Sequence, residues 1–397
     1  MMSVWSSLVG QDAAVAKLSE AAASARAIVA SRGSGRASDE ARSMSHAWLI
    51  TGPPGSGRSV AARAFAAALQ CTGATPGCGQ CPGCRTTMGR TNADVLFAAT
   101  ETSIINVDTA RSLVLQAQSS PSQGLWRVIV VEDADRLGES GANALLKAIE
   151  EPPEHTVWLL CAPSPEDMIA TIRSRCRHLG LRIPTATAVA DLLVREGVAT
   201  PDVALDAARA AQSHIGLARA LARDPQMRER RRAIITAPAS VRSVGEAVMA
   251  ADRLLETAKA QADAQVSERN AREKAELLRQ LGMEEGESAT KASRTMIRQL
   301  EEDQKRRSKR ALTDAIDRAL IDLLAIYRDV LMVQVGGDGE LINTDLSDLV
   351  HEIAQDSTPR QTLARVDHIE TARKRLVANG NPLLVLEDMA ISLRPQA

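Results

Sequence analysis

The chain has 397 residues, 45% of them hydrophobic, and a formal net charge of −1 at pH 7. This length predicts two or three domains, and the balanced, interspersed charge argues against a protein whose main task is to coat nucleic acid or an anionic membrane. Aromatic residues make up only 2% of the chain, so we expect aliphatic cores and, because many segments are alanine-rich, largely helical structure.

The first half of the sequence alternates short apolar runs with helical segments. A helix is predicted to about residue 30, and a Gly-, Ser- and Arg-rich insert at 31–45 is predicted to be mobile. The predicted strands lie at 47–51, 94–98, 126–131, 157–160 and 178–183, and the predicted helices between them at 60–70, 107–118 and 141–150. Strands that alternate with helices indicate a parallel sheet.

The second half has no strand pattern. Residues 184–240 predict short helices of a small helical domain, and residues 244–281 and 291–333 predict two long helices of a hairpin that turns at 282–288. Basic runs lie at 228–232 and 305–310. We interpret both as solvated helix surface rather than as nucleic-acid patches.

Residues 52–59, Gly-Pro-Pro-Gly-Ser-Gly-Arg-Ser, have the pattern of a phosphate-binding loop in which arginine replaces the usual lysine. The candidate nucleotide-binding residues are Gly52, Gly55, Gly57, Arg58 and Ser59. Arginine keeps the positive charge but is a longer, planar fork, so we expect weak or non-productive binding of ATP or ADP. The alternative is a Gly/Pro turn between unrelated elements, which the strand–loop–helix order disfavours.

A second departure follows the strand at 126–131. A hydrolysing P-loop enzyme places a magnesium-holding Asp and then a water-orienting Glu here, whereas this chain has Glu132 and then Asp133. The swap moves each carboxylate by about one methylene, and a misplacement of about 1 Å can cost on the order of 10²-fold in rate. We therefore expect no productive magnesium site in cis, the alternative being tolerated substitutions in a slow but genuine ATPase.

Four of the six cysteines lie close together in the sequence, at Cys71, Cys78, Cys81 and Cys84. Four thiolates can surround one zinc ion tetrahedrally, and the absence of a nearby histidine favours a closed, structural site. The alternative is four free or redox-active thiols. The chain has neither a basic-then-apolar N-terminal pattern nor an apolar run of roughly 20 residues, so we expect a soluble, cytoplasmic protein without a membrane partner.

Six motifs occur in the order found in a known protein family. They are residues 9–11, the P-loop at 52–59, the four cysteines, residues 143–153, residues 171–176 and residues 216–219. Together these motifs resemble the AAA+ clamp-loader subunits of bacterial DNA polymerase III. The chain resembles the delta-prime kind most, because active gamma/tau subunits keep the P-loop lysine and the Asp-Glu order.

The resemblance implies a three-domain α/β protein. Residues 1–183 would form an AAA+ core with a parallel sheet and an embedded zinc module at about 71–84, and residues 184–240 a small helical lid. Residues 241–397 would form an all-α collar domain that oligomerises. The charged hairpin at about 244–309 matches no motif of the family, and we interpret it as an insertion.

The resemblance also implies roles for particular residues. Ser174, Arg175 and Cys176 match the motif that points an arginine finger at the ATP site of an adjacent gamma/tau subunit. Arg219 matches a nucleotide-sensing arginine of the lid, and residues 162–163, Ala-Pro, replace a polar sensor. The implied partners are the gamma/tau and delta subunits and, through the complex, the sliding clamp and primer–template DNA at the nucleoid.

We therefore expect a non-hydrolysing delta-prime-like subunit that belongs to the polymerase holoenzyme without being an active ATPase or polymerase alone. One alternative is a gamma/tau-like ATPase in which Arg58 replaces the lysine. Another is a free nucleotide-binding regulator or a small-molecule phosphotransferase, for which the sequence offers no cluster of acid–base groups.

Overall fold

The computed structural model describes residues 3–31, 43–98, 105–281 and 291–394. Most of the predicted insert at 31–45 and the whole predicted hairpin turn at 282–288 lie outside these residues. The chain divides into two compact units, Met1–Ala222 and Arg223–Ala397, which we call unit 1 and unit 2. None of the described helices combines the length and the apolar character needed to cross a membrane.

Unit 1 is an α/β structure followed by a group of short helices. Its strands are β1 (Ala47–Thr51), β2 (Val95–Ala98), β3 (Arg127–Val131), β4 (Thr156–Ala162) and β5 (Arg177–Gly180). The helices up to the unit boundary are α1 (Asp12–Ala30), α2 (Arg58–Leu69), α3 (Pro82–Met88), α4 (Val107–Ala117), α5 (Glu139–Glu150), α6 (Ala170–Arg173), α7 (Ala186–Arg195), α8 (Pro201–Ala210) and α9 (Ile215–Arg223). Short 3-10 helices lie at Val4–Ser7, Ala134–Arg136 and Pro165–Asp167.

The five strands form one parallel sheet in the order β2-β3-β4-β1-β5. The predicted parallel sheet is thus confirmed, and it fits the AAA+ core that the resemblance implies. Every residue of β1 and β4 is buried, because α1 and α2 cover one face of the sheet and α4 and α5 cover the other. A sheet covered on both faces explains why these strands are continuous apolar runs rather than alternating ones.

Unit 2 is helical throughout its described residues, as predicted for the C-terminal region. Its helices are α10 (Pro225–Ser240), α11 (Val244–Gln280), α12 (Lys291–Gln334), α13 (Ser347–Gln355), α14 (Pro359–Val377) and α15 (Pro382–Leu393), with a 3-10 turn at Thr344–Leu346. One apolar core joins all six helices, α10 to α15, and its fully buried members include Ile316, Leu320 and Leu386.

Helix α10 differs from its prediction in two ways. The sequence analysis placed it in the lid at 184–240, whereas in the structure it packs in unit 2. The basic run at 228–232 was interpreted as solvated surface, but Arg231 is only 9% exposed. Its Nε lies 3.1 Å from a carboxylate oxygen of Asp322, and its Nη2 donates to Asn343 at 2.6 Å. A buried guanidinium needs such partners, and they come from distant parts of the chain.

Helices α11 and α12 pack against each other as the predicted hairpin. Near the core their seam is lined by small apolar residues, with Ala262, Val266 and Ala311 forming a buried cluster. Farther along the arm the contact becomes polar, since Arg307 donates to the side chains of Asn270 at 2.7 Å and Glu273 at 2.8 Å.

Candidate functional site

The P-loop lies at the carboxyl end of β1 and leads directly into α2. Gly55 (φ 90°) and Gly57 (φ 89°) adopt left-handed conformations that suit glycine, and a Cβ at Gly52 would lie 2.5 Å from Oγ of Ser56. The predicted strand–loop–helix order is therefore present. Ser56 is 3% exposed, and its Oγ has no hydrogen-bond partner among the described residues.

The loop forms one wall of a pocket of about 400 Å³ within unit 1. The first turn of α2, including Arg58 and Ser59, lines the same pocket, and α9 contributes Arg219. Most of the predicted nucleotide-binding residues thus line one cavity, namely Gly55, Gly57, Arg58, Ser59 and Arg219. Gly52, Glu132 and Asp133 are not among its lining residues. Its position at the N-terminus of a helix is that of a phosphate site in P-loop proteins.

Arg58 does not extend freely into this pocket. Its Nη1 donates a hydrogen bond to the backbone carbonyl of Gly52, so the guanidinium folds back onto its own loop. A lysine ammonium in a working P-loop instead reaches the β- and γ-phosphate oxygens.

Glu132, at the carboxyl end of β3, is also paired within the protein. Its Oε1 lies 2.5 Å from Nη2 of Arg90, and the Glu132 side chain is only 14% exposed. The guanidinium of Arg90 also lies over the ring of Phe97, 5.0 Å from the centroid. Glu132, the acid at the expected magnesium position, is thus held by the guanidinium of Arg90. The sequence analysis did not predict this ion pair. Asp133 directly follows Glu132 as the cap of a 3-10 turn.

Arg63 is a further pocket residue that the sequence analysis missed. It lines the pocket one helical turn after Ser59, on the same face of α2. Its buried Nε has no hydrogen-bond partner among the described residues. Burial lowers the pKa of this guanidinium from its ordinary value, and the neighbouring charge of Arg90 acts in the same direction.

The lid arginine is paired as well. Arg219 makes a forked ion pair with Glu196, with nitrogen–oxygen distances of 2.8 to 3.0 Å. At the end of β4 lie Ala162 and Pro163, where the resemblance implies a polar sensor in active relatives. The contact there is made by the backbone, because Gly52 donates its N–H to the carbonyl of Pro163 at 3.1 Å.

The predicted arginine finger lies apart from the residues that line this pocket. Arg175 follows α6, and its side chain is 40% exposed. Its Nε lies 2.5 Å from Oε1 of Glu150, at the end of α5, and its Nη1 donates to the carbonyl of Thr171 at 2.8 Å. Ser174 donates its hydroxyl to the same carbonyl at 3.1 Å. Cys176 is half-buried, and burial raises the pKa of its thiol to about 12.

The four clustered cysteines have the arrangement of a metal site. The Sγ atoms of Cys71, Cys78, Cys81 and Cys84 all lie within 4.8 Å of one another, and those of Cys71 and Cys81 are 3.8 Å apart. Tetrahedral zinc with bonds of about 2.3 Å to sulfur places its ligands about 3.8 Å apart. The four thiols therefore fit a single tetrahedral ion.

Backbone N–H groups turn toward two of these sulfurs, those of Cys78 and Cys81, and favour their thiolate forms. Cys78 accepts from Gln80 at 3.5 Å and from Cys81 at 3.4 Å, and Cys81 accepts from Cys84 at 3.4 Å. Burial acts to raise the pKa of the Cys81 thiol, but the hydrogen bonds from Cys84 and Thr72 outweigh it and lower the pKa to about 6.

The cysteine module is fixed to the rest of unit 1. Arg26 of α1 donates to the carbonyls of Cys71, Gly73 and Ala74 at 2.8 to 2.9 Å. A Cβ at Gly83 would lie 2.0 Å from the carbonyl oxygen of Gln70, so this approach of α3 requires glycine. The module is thereby attached to the end of α2, the helix that begins at the P-loop.

Comparisons with known proteins find similarity to subunits of DNA polymerase III. A family model described as "DNA polymerase III, delta subunit" matches residues 36–185. The delta' subunit of Escherichia coli is 34% identical over 180 residues, which are 44% of this chain and 54% of that subunit. The delta' subunit of Pseudomonas aeruginosa is 35% identical over 161 residues, 40% of this chain and 48% of that subunit.

A similar match is found to a gamma/tau subunit. The gamma/tau subunit of Mycobacterium tuberculosis (strain H37Rv) is 36% identical over 173 residues, 41% of this chain and 29% of that subunit. The matched segments thus span about half or less of these relatives, and the family match lies within unit 1. Over residues 36–185 the predicted resemblance to the delta-prime and gamma/tau clamp-loader subunits of DNA polymerase III is confirmed.

Proposed function

We propose that the chain is a delta-prime-like subunit of the DNA polymerase III clamp loader that does not hydrolyse ATP. In this proposal Arg175 acts in trans, as an arginine finger for an adjacent gamma/tau subunit. The observation that carries the proposal is a contrast between two sites. Arg58 and Glu132, at the expected catalytic positions in cis, make contacts within the chain, and the side chain of Glu132 is only 14% exposed. The guanidinium of Arg175 is also paired within the chain, but its side chain is 40% exposed.

ATP hydrolysis in cis would require a cation on the γ-phosphate and a carboxylate on magnesium. Arg58 donates instead to its own loop, and Glu132 is paired with Arg90 at 2.5 Å. Arg219, the third predicted contact, is paired with Glu196. A nucleotide and its metal would have to displace these contacts one by one. We therefore propose that the pocket does not hydrolyse ATP, even if it binds nucleotide.

The trans role needs an arginine that another subunit can reach. The side chain of Arg175 is 40% exposed and lies outside the cavity formed by the P-loop. A guanidinium placed on a transferring phosphoryl group in another subunit contributes roughly 10³–10⁵ in rate. Arginine suits this position because its donors form a planar fork that matches phosphate oxygens.

The proposed partners are the gamma/tau and delta subunits, and through them the sliding clamp and primer–template DNA at the bacterial nucleoid. Direct DNA binding by the run 305–310 is not part of the proposal, because its arginines pair with acidic side chains. Arg307 lies 2.8 Å from Glu273, Arg306 3.6 Å from Asp303, and Arg310 3.6 Å from Asp314.

We further propose that Cys71, Cys78, Cys81 and Cys84 hold one structural zinc ion. The proposal is supported by the sulfur separations and by the backbone N–H groups directed at the sulfurs. With four protein ligands, such a site leaves no coordination position for substrate. Zinc would therefore stabilise the fold around the end of α2 and take no part in phosphoryl transfer.

The finger proposal is tested in the assembled complex. The chain is combined with gamma/tau, delta, clamp and primed DNA, and hydrolysis is measured at the ATP site next to this subunit. We expect Arg175→Ala to slow hydrolysis at that site about 10³-fold. Arg173→Ala is the matched control, since Arg173 is an exposed arginine two residues away. An Arg175→Ala complex as active as the wild-type complex would refute the proposal.

The second candidate is an active gamma/tau-like ATPase, which the 36% identity to a gamma/tau subunit favours. Turnover by the isolated chain separates the two functions, with the Arg58→Ala variant as the blank. We expect no turnover above the blank. ATP hydrolysis by the isolated wild-type chain that Arg58→Ala abolishes would establish the second candidate instead.

A further inference from the structure

We propose that Glu150 is the positioning residue of the arginine finger, holding the guanidinium of Arg175 in the orientation that a neighbouring ATP site requires. This inference rests on the proposed trans function of Arg175. It assigns a role to the last residue of α5, a helix that begins a few residues after the acidic pair Glu132 and Asp133.

The contacts of Arg175 divide its guanidinium into a held edge and an open edge. Nε lies 2.5 Å from Oε1 of Glu150. Nη1 donates to the carbonyl of Thr171 at 2.8 Å and to Oγ of Ser174 at 3.3 Å. Nη2 has no hydrogen-bond partner within the described parts of the chain. A guanidinium held through Nε and Nη1 can therefore still present Nη2 to an acceptor outside the chain.

Two of the residues that hold the guanidinium, Glu150 and Thr171, lie on well-packed elements. Leu145 and Ile149 anchor α5 in the core with no exposed surface, and the ring Nε2 of His46 lies 2.9 Å from the carbonyl of Ile149. Ile172, between Thr171 and the finger motif, is also fully buried. The carboxylate of Glu150 is thus presented from a helix end that is fixed against the sheet.

Stability of the fold does not account for this ion pair. Both side chains are about 40% exposed, and ion pairs at such exposure contribute little to folding because solvent screens them. Fixing a long side chain before it meets a partner has another effect. It reduces the conformational freedom lost on docking, so more of the binding free energy remains for the catalytic contact. Glu150 meets this requirement.

The geometry also defines the opposite possibility, in which Glu150 withholds Arg175 from the neighbouring site. The two roles differ in sign. If Glu150 positions the finger, its removal slows hydrolysis in the complex, whereas removal of a competing carboxylate speeds hydrolysis. Because Nη2 is open while Nε is held, we expect removal of Glu150 to slow hydrolysis.

The experiment compares Glu150→Ala and Glu150→Gln complexes with the wild-type complex, again at the ATP site next to this subunit. We expect Glu150→Ala to lower kcat about 3- to 10-fold, the range for one long side chain that must be ordered on docking, with KM for ATP unchanged. Glu150→Gln should recover most of the rate, because its amide oxygen can take the place of the carboxylate oxygen beside Nε. Glu151→Ala, at the exposed neighbouring position, should leave the rate unchanged.

A double variant and the arginine variant separate the possible failures. If Glu150 acts only through Arg175, Glu150→Ala adds no further loss in the Arg175→Ala background. An unchanged or increased rate in Glu150→Ala, with Arg175→Ala still inactive, would overturn the positioning role and leave the finger proposal intact. An Arg175→Ala complex that is fully active would overturn the finger proposal itself.

Discussion

The buried carboxylate of Asp94 gives the sharpest stability prediction. Asp94 precedes β2, is completely buried, and accepts four hydrogen bonds from the segment that leads into β3. The donors are the backbone N–H of Ser122 (2.6 Å), the hydroxyl of Ser122 (2.9 Å), and the N–H groups of Gln123 (2.8 Å) and Gly124 (2.6 Å). One carboxylate thus fixes the entry to β3, the strand that precedes Glu132.

Asp94→Asn keeps one acceptor oxygen and replaces the other with an NH₂ group that faces N–H donors. Two donors then lose their acceptor, and each costs about 1–3 kcal/mol when buried. Because Ser122 and Gln123 are otherwise exposed and their N–H groups can partly reach water, we expect a destabilisation of about 2–4 kcal/mol.

The pH dependence of this effect has a defined sign. Burial acts to raise the pKa of Asp94, but the hydrogen bonds from Ser122, Gln123 and Gly124 outweigh it, and the pKa in the folded protein is lowered. The unfolded value is about 3.9. The stabilisation is therefore complete at neutral pH, declines below about pH 5, and is lost as the pH falls through the folded pKa. The difference in free energy of unfolding between the wild type and Asp94→Asn should therefore become smaller as the pH is lowered.

Tryptophan fluorescence during urea unfolding is the assay, because all four tryptophans of the chain lie in unit 1. They are Trp5, Trp48, Trp126 and Trp158. Asp191→Asn, at an exposed position of α7, is the control and should change the free energy of unfolding by less than about 0.5 kcal/mol. The reasoning is refuted if Asp94→Asn has the same free energy of unfolding as this control at pH 7. It is also refuted if the loss of stability in Asp94→Asn does not become smaller at acidic pH.

Two further predictions concern the metal and the pocket. Metal analysis should return about one zinc per chain, Cys84→Ser should lose the metal and lower the unfolding temperature of unit 1, and Cys176→Ser should keep the metal; a fully folded, metal-free wild-type protein would contradict this. Arg58→Lys alone should leave ATP turnover of the isolated chain at background, because Glu132 stays paired with Arg90; turnover clearly above the Arg58→Ala blank would count against that explanation.

The five strands of unit 1 and its helices α1, α2, α4 and α5 could be predicted because their signals are local. The short helices α3 and α6 were not predicted. The run 47–51 and the glycines after it define β1 and its loop, and the run 126–131 defines β3 within one residue. Membership of α10 in unit 2 could not be predicted in this way. Nothing in the local sequence distinguishes Arg231 from its exposed neighbours, and its burial depends on Asp322, which lies 91 positions away.

The candidate site shows the same difference between local and long-range features. The P-loop and the cysteine cluster were identified from short spacings, and the structure brings the residues of each together. The ion pairs of Glu132 and Arg219, by contrast, join residues far apart in sequence. Arg90 and Glu132 are 42 positions apart, and Arg219 and Glu196 are 23. No local pattern signals such pairs, because each depends on how the sheet and lid place two side chains.

The change along the seam of the α11–α12 hairpin, from small apolar residues to ion pairs, has a mechanical consequence. Near the core, the Ala262, Val266 and Ala311 cluster excludes water. Toward the tip, contacts such as that of Arg307 with Glu273 are weakened by salt. We therefore expect high ionic strength to weaken this polar stretch of the seam while its apolar root stays closed.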